Sequence, residues 1–236
     1  MRKSDGQVVE RKLGNIQAFN EGAVDFETWF KNNEKLFYSE LNALKKMVIN
    51  PEKCISIGIG DGLFAEKLGI KIGVEPSKSM AELARKRGIK VIEAKAEDLP
   101  FEDSSCTQLL LGTILCYVEN QEKAIEEAYR VLKKDGEVIV SILPAEGPFA
   151  LLYRVAKNEG YYDEKISPKI PYPLKFIEKA NWIASDELID LMEKVGFRDI
   201  QSVQTLINNP KYCDEEIEEA IPGYKKGSYI VFKGVK

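Results

Sequence analysis

The stretch Cys54-Ile55-Ser56-Ile57-Gly58-Ile59-Gly60-Asp61-Gly62-Leu63-Phe64 closes an apolar run with Gly-x-Gly-x-Gly. Glycines let a chain turn sharply and let uncharged backbone approach a ligand, so the stretch predicts a binding turn between a strand and a helix N-terminus. Pyrophosphate chemistry fits it poorly. A dinucleotide fingerprint would place Gly or Ala where Leu63 stands, and a P-loop would continue with Lys-Ser or Lys-Thr. Glu75 ends the next apolar stretch, Ile72-Gly73-Val74-Glu75-Pro76-Ser77. In a parallel sheet that position lies beside the glycine turn, where a carboxylate can accept both hydroxyls of a ribose. The plainer alternative is an exposed strand-end charge. In Ala96-Glu97-Asp98-Leu99-Pro100-Phe101 an acidic side chain and backbone amides can bracket the amino edge of an adenine. The chain contains no histidine, which excludes Ser-His-Asp, Cys-His and His-zinc chemistry and leaves carboxylates, tyrosines or lysines as general bases. Cys54, Cys106, Cys116 and Cys213 form no Cys-x-x-Cys pair, so reduced, mostly buried thiols and no metal site are expected.

These residues need a frame that brings successive strand ends together. Strand-like and helix-like patterns alternate: strand 54–59, helix 63–68, strand 71–75, helix 78–87, strands 90–93 and 107–111, helix 121–132 and strand 137–143. Such alternation demands a parallel sheet with right-handed crossovers and helices on both faces. Before it, apolar residues at helical spacing from Asp25 to Ile49 predict one or two helices, broken near Asn32 and Asn33 and stopped by Pro51. Residues up to about Gly14 read as a loosely held terminus. After Leu143 the texture changes: Pro144, Pro148, Pro168, Pro171 and Pro173 fall with Tyr153, Tyr161, Tyr162 and Tyr172 before Trp182, which predicts an insertion or lid outside the core. Ser185 is expected to cap a helix over 186–194, and stretches 197–207 and 228–233 to form a closing antiparallel hairpin. The length of 236 residues suits a single large α/β domain, and 44% hydrophobic with 31% charged residues excludes a disordered chain. A net charge of -4 implies no basic surface for nucleic acid. No apolar run reaches the roughly 20 residues that cross a bilayer, and Met1 to Lys12 lacks a signal-peptide core, so a cytoplasmic location without membrane contact is expected.

The features in series resemble the class I S-adenosylmethionine-dependent methyltransferases, in particular the small-molecule type 11 group. Gly58-Ile59-Gly60-Asp61-Gly62 is similar to the first motif, Gly73-Val74-Glu75-Pro76-Ser77 to the ribose strand and Ala96 to Phe101 to the adenine turn. Gly112-Thr113-Ile114-Leu115-Cys116-Tyr117-Val118 resembles the segment facing the methyl group. Glu127-Ala128-Tyr129-Arg130-Val131-Leu132-Lys133-Lys134-Asp135-Gly136-Glu137 resembles the helix and turn before the fifth strand, and Asp25 to Phe30 the aromatic N-terminal helix. Two positions depart from the family pattern: Ser56 and Thr107 stand where acidic residues are usual, and Asp61 is the candidate to compensate for Ser56.

The resemblance implies a Rossmann-like, doubly wound, mostly parallel seven-stranded sheet with an antiparallel last strand. It divides the chain into a tail and helical cap (1–50), a cofactor-binding core (51–143), a substrate lid (144–184) and a C-terminal helix with closing strands (185–236). The implied cofactor is S-adenosyl-L-methionine, held by Trp29, Phe30, Gly58, Gly60, Asp61, Gly62, Glu75, Pro76, Ser77, Met80, Ala96, Glu97, Gly112 and Thr113. Tyr117 is the candidate base, and Tyr117, Tyr153, Tyr161 and Tyr162 are candidate walls for the acceptor. The expected reaction moves a methyl group to N, S or O of a small molecule, in a monomer or homodimer. A non-catalytic cofactor-binding regulator and, further off, a nicotinamide oxidoreductase are the other readings.

Overall fold

The computed structural model describes residues 5–236, with side chains from Asn15 onward. Two helices, α1 (Asp5–Asn32) and α2 (Glu34–Met47), precede the alternating core. The break falls at Asn33, as the spacing predicts; its amide donates to the carbonyls of Trp29 at 3.0 Å and Ile170 at 3.2 Å, substituting for helix continuation. The backbone is helical from Asp5, so the stretch up to Gly14, expected to be a loose terminus, belongs to α1. Met1 to Ser4 lie outside the described residues.

The core runs β1 (Cys54–Ile57), α3 (Leu63–Leu68), β2 (Ile72–Val74), α4 (Lys78–Lys86), β3 (Lys90–Ile92), β4 (Cys106–Gly112), α5 (Gln121–Val131) and β5 (Leu132–Ile142). There follow α6 (Pro148–Glu159), α7 (Leu174–Ile177), α8 (Ser185–Val195), β6 (Arg198–Thr205), β7 (Ile221–Pro222) and β8 (Tyr229–Val235). Strand order is β3-β2-β1-β4-β5-β8-β6-β7 in one eight-stranded sheet. The pairs among β1 to β5 are parallel, and β8 enters antiparallel between β5 and β6. The expected hairpin is therefore a β6–β8 pair, joined through a long connection whose two-residue β7 adds the eighth strand at the edge. β5 begins earlier than expected because Leu132 pairs with Cys106 before a register shift brings Glu137 opposite Gln108.

Apolar residues cover both sheet faces, one against α1, α2 and α6 and the other against α5 and α8. The 144–184 segment is a correction to the sequence reading: Phe149, Tyr153, Tyr172, Phe176 and Ile177 are buried in the first of these clusters. Its prolines mark turns between short helices, while its aromatics fill the space between α1 and the sheet. Ser185 does not cap α8. Ala184 holds that place, with its N–H donating to Glu187 Oε2 at 3.2 Å, and Ser185 N–H donates to Glu146. All four cysteines are buried free thiols. No described helix is long and apolar enough to cross a membrane.

Candidate active site

At the carboxyl ends of β1, β2 and β4 the glycine turn, Glu75 and the 112–118 segment open onto one cavity with about 1640 Å³ of empty space, open solvent at its mouth included.

Gly58, Gly60 and Gly62 all have positive φ, at 65°, 60° and 80°. A Cβ on Gly60 would meet nothing nearer than Phe26 Cε1 at 4.0 Å, so this glycine leaves room on the cavity side. Gly62 differs. Its Cβ would stand 3.0 Å from Ala84 Cα and 2.8 Å from Ile89 Cδ1, so Gly62 sits against α4 and does not line the cavity.

Glu75 is buried, not an exposed strand-end charge. Its Oε2 accepts from Gly60 N–H at 2.8 Å and its Oε1 from Ser77 N–H at 2.9 Å, which ties β2 to the glycine turn. Burial pushes its carboxyl up to about 7, against the lowering by these two amides. Each oxygen keeps a lone pair for a ligand hydroxyl. Asp61, 2% exposed, is no solvated loop aspartate. Its Oδ1 accepts from Leu63 N–H at 3.0 Å, while Oδ2 lies 3.6 Å from Arg87 Nη2 and accepts no hydrogen bond from the described residues. Burial raises its carboxyl, partly offset by the Leu63 amide and Arg87. Ser56 lines the cavity, so that departure touches the site; Thr107 is exposed and lines none of it.

The adenine-type turn is clamped from behind. Glu127 Oε2 accepts from Leu99 N–H at 2.9 Å, and Arg130 donates to the carbonyls of Leu99 at 3.0 Å and Phe101 at 2.9 Å and to Glu127 Oε2 at 2.7 Å. Arg130 holds the Glu127 carboxyl down to about 2, from an ordinary 4.5. A depressed folded value stabilises the fold above the unfolded value and loses that contribution as pH falls through the folded one. Acid titration of thermal stability should therefore show a loss between about pH 4.5 and 2 that Glu127→Gln flattens. An unchanged slope in the variant would remove Glu127 from that role. Glu97 Oε1 accepts from Glu119 N–H at 2.7 Å, joining the turn to the 112–118 segment.

α1 forms the opposite wall. Asn20 Oδ1 accepts from Ser77 Oγ at 2.8 Å and Ser79 N–H at 3.2 Å, Arg87 pairs with Glu27 at 2.6 Å, and Asn15 donates to the Tyr117 carbonyl at 2.7 Å. Beyond the glycine turn the cavity becomes aromatic: Trp29 meets Tyr172 at 4.9 Å and Phe19 meets Tyr117 at 4.9 Å between ring centroids. Tyr117 Oη donates to Tyr172 Oη at 3.3 Å, and burial raises the Tyr117 phenol well above its usual value. Thr113, with φ of 55°, holds a backbone conformation unusual for a β-branched residue; its Oγ1 lies 3.1 Å from Ser141 Oγ.

The cavity wall therefore gathers Trp29, Phe30, Gly58, Gly60, Asp61, Glu75, Pro76, Ser77, Met80, Ala96, Glu97, Gly112, Thr113, Tyr117 and Tyr153. Tyr161, 61% exposed, and Tyr162, whose hydroxyl donates to the Tyr172 carbonyl at 2.7 Å, stand outside it. Their neighbours Tyr153 and Tyr172 take the wall positions. Glu40 of α2 was not singled out by the motifs, yet it lines the aromatic part and is 8% exposed. Its signal is a carboxylate at helical spacing between Leu36 and Leu44, on the face that must be buried.

The residues present fit S-adenosylmethionine: the space over Gly60, the buried Glu75 carboxylate and Asp61 Oδ2, which accepts no hydrogen bond from the described residues, offer room, a diol acceptor and a further acceptor oxygen. Residues 55–140 match the family model described as a methyltransferase domain. A crystal structure from Thermotoga maritima, described as a SAM-dependent methyltransferase and possible histamine N-methyltransferase, is 38% identical with a TM-score of 0.82, covering 93% of this chain and 99% of that one. An uncharacterised protein of Methanocaldococcus jannaschii is 36% identical over 94% of this chain and all of its own length. A ubiquinone/menaquinone biosynthesis C-methyltransferase of Haemophilus ducreyi is 26% identical over 63% of this chain and 65% of its own. Similarity of that extent, carried along nearly the whole chain and centred on the cavity's own motifs, settles the family: this chain belongs to the S-adenosylmethionine-dependent methyltransferases.

Proposed function

We propose that the chain moves a methyl group by direct displacement to a nucleophilic N, S or O atom of a small molecule held in the aromatic part of the cavity, under residues 144–184. The observation that carries this reading is one cavity whose wall combines a polar glycine-and-carboxylate set with an apolar aromatic set. In this reading Glu75, Asp61, Glu97 and the glycine turn hold the cofactor, while Tyr117, Tyr153 and Tyr172 hold the acceptor. Bound S-adenosylmethionine supplies a methyl group already activated on a sulfonium. The chain's task is then to align the acceptor atom and exclude water, and alignment alone is worth about 7 to 11 kcal/mol. The description of the Thermotoga protein favours nitrogen among the acceptor atoms.

Tyr117 keeps its proton near neutrality, because burial disfavours the phenolate and its hydroxyl donates to Tyr172. It serves as wall and donor. Tyr117→Phe should lower kcat/KM less than tenfold, or about 1.4 kcal/mol; a loss of several hundredfold would make it a base. The reading as a whole is tested by turnover on amine, thiol and alcohol panels, after calorimetry has shown stoichiometric S-adenosylhomocysteine binding. Transfer to some member, with a pH profile that follows the acceptor's own ionisation, is the expected result. Cofactor binding without turnover of any acceptor would leave a regulatory binder instead.

A further inference from the structure

Glu40 has no counterpart in the cofactor motifs. It stands on α2, outside the 55–140 region that matches the methyltransferase family model, and its neighbours in the cavity wall include Leu36, Leu44, Phe149 and Leu206. Among the described residues no hydrogen bond or ion pair reaches its carboxylate. The titratable groups that face it are the phenols of Tyr153, Tyr172 and Tyr229 and the thiol of Cys213, each raised by burial and neutral near pH 7. A carboxyl group held off from water without a partner keeps its proton until an opposite charge arrives. Burial pushes its carboxyl up to about 8. The rest of the wall has the same sign of charge: Asp61, Glu75, Glu97 and Glu119 line it with one cation, Lys95, itself paired to Glu119 at 3.3 Å.

We propose that Glu40 anchors a positively charged nitrogen of the acceptor, separate from the atom that takes the methyl group because an ammonium has no lone pair to attack with, so that the acceptors carry an amine on an apolar body and are not neutral alcohols or acids. The proposal rests on the acceptor reading above. The aromatic lining suits it, since Tyr153 and Tyr172, which face Glu40, bring rings that can attract a cation and enclose the apolar body. On binding, the Glu40 proton leaves to solvent and the carboxylate pairs with the ammonium; no bond of the acceptor changes. Glu40 is thus a specificity-determining residue.

The test uses the full chain saturated with S-adenosylhomocysteine and matched pairs of probes: butylamine with butanol, phenethylamine with 2-phenylethanol, and tryptamine with tryptophol. At least one amine is expected to bind tenfold or more tighter than its alcohol, and Glu40→Gln to erase that preference while the S-adenosylhomocysteine dissociation constant stays within twofold. Calorimetry on the wild type, in buffers of different ionisation enthalpy, keeps the test independent of the variant's folding. It should read close to one proton released per amine at pH 7, falling towards zero at pH 9, where Glu40 is already ionised. An amine binding as the neutral base would instead keep releasing its proton at pH 9. No amine preference, a preference that survives Glu40→Gln, or release that persists at pH 9 overturns the assignment. If thiols or alcohols are nonetheless methylated, the acceptor reading stands and Glu40 alone falls; failure to bind S-adenosylhomocysteine takes both down.

Discussion

Replacing Glu75 with alanine should weaken S-adenosylhomocysteine binding by about 1.5 to 3 kcal/mol, roughly ten- to 150-fold, because that is the range for hydrogen bonds to a charged group. The melting temperature should change little. Two amides, the part-buried one of Gly60 and the buried one of Ser77, lose their acceptor, but the fold is also relieved of a carboxylate that burial disfavours. These effects oppose each other, whereas the lost ribose contact has nothing to offset it. A folded value of about 7 against an ordinary 4.5 adds a pH signature. The raised value favours the protonated form in the fold, so its stabilisation is full below 4.5 and lost as pH rises through 7. Ligand affinity runs the opposite way. If the carboxylate is the binding form, its ionised share climbs from about a tenth at pH 6 to about nine-tenths at pH 8, and affinity should rise about tenfold. Calorimetry at both pH values, on wild type and Glu75→Gln, reads this directly; Asp61, whose carboxyl is also raised, contributes whatever slope the variant retains. An unchanged dissociation constant in Glu75→Ala, with intact folding, would assign the carboxylate to the β2–turn link alone.

Two glycines of one motif should fail in different ways. Gly62→Ala places a Cβ against the Ala84 backbone at 3.0 Å, in a left-handed conformation with φ of 80°. The conformation costs about 1–2 kcal/mol and overpacking about 1–3 kcal/mol, so stability should fall by about 2 to 5 kcal/mol. Gly60→Ala incurs the first cost only, because its Cβ meets open cavity. That methyl occupies the space beside Glu75, so cofactor affinity should drop at least tenfold in a protein that still folds. Urea titration and calorimetry on the pair separate the two outcomes. Equal stability losses would mean that the turn rearranges around either substitution.

The alternation of strand and helix periods was enough to predict the parallel half of the sheet. Apolar runs at 54–57, 72–74, 90–92 and 106–112, each punctuated by turn residues, have few ways to bury themselves except as neighbouring strands with helices over both faces. The ordering of the glycine turn, Glu75 and the 96–101 turn at successive strand ends followed from that topology, since parallel strands present all their carboxyl ends to one edge. Local chemistry therefore pointed to the cofactor side of the cavity.

The acceptor side was a matter of distance in the chain. Proline and tyrosine content marked 144–184 as a departure from the core, but composition carries no information on which aromatics turn inward; contact with α1 and the sheet buries Tyr153 and Tyr172 and leaves Tyr161 in solvent. Neither could spacing reveal that Gly62 packs on α4 while Gly60 faces the cavity, because the difference lies in what stands opposite each Cα. Glu40 is the clearest case. Its place on an apolar helical face is written in the sequence, yet a glutamate there reads as a flaw in the stripe until α2, α6, β8 and the 144–184 segment close around it. Short-range periodicity determines which face of an element is buried; only the packing of elements far apart in the chain decides what that face meets, and so which carboxyl group is left without a partner.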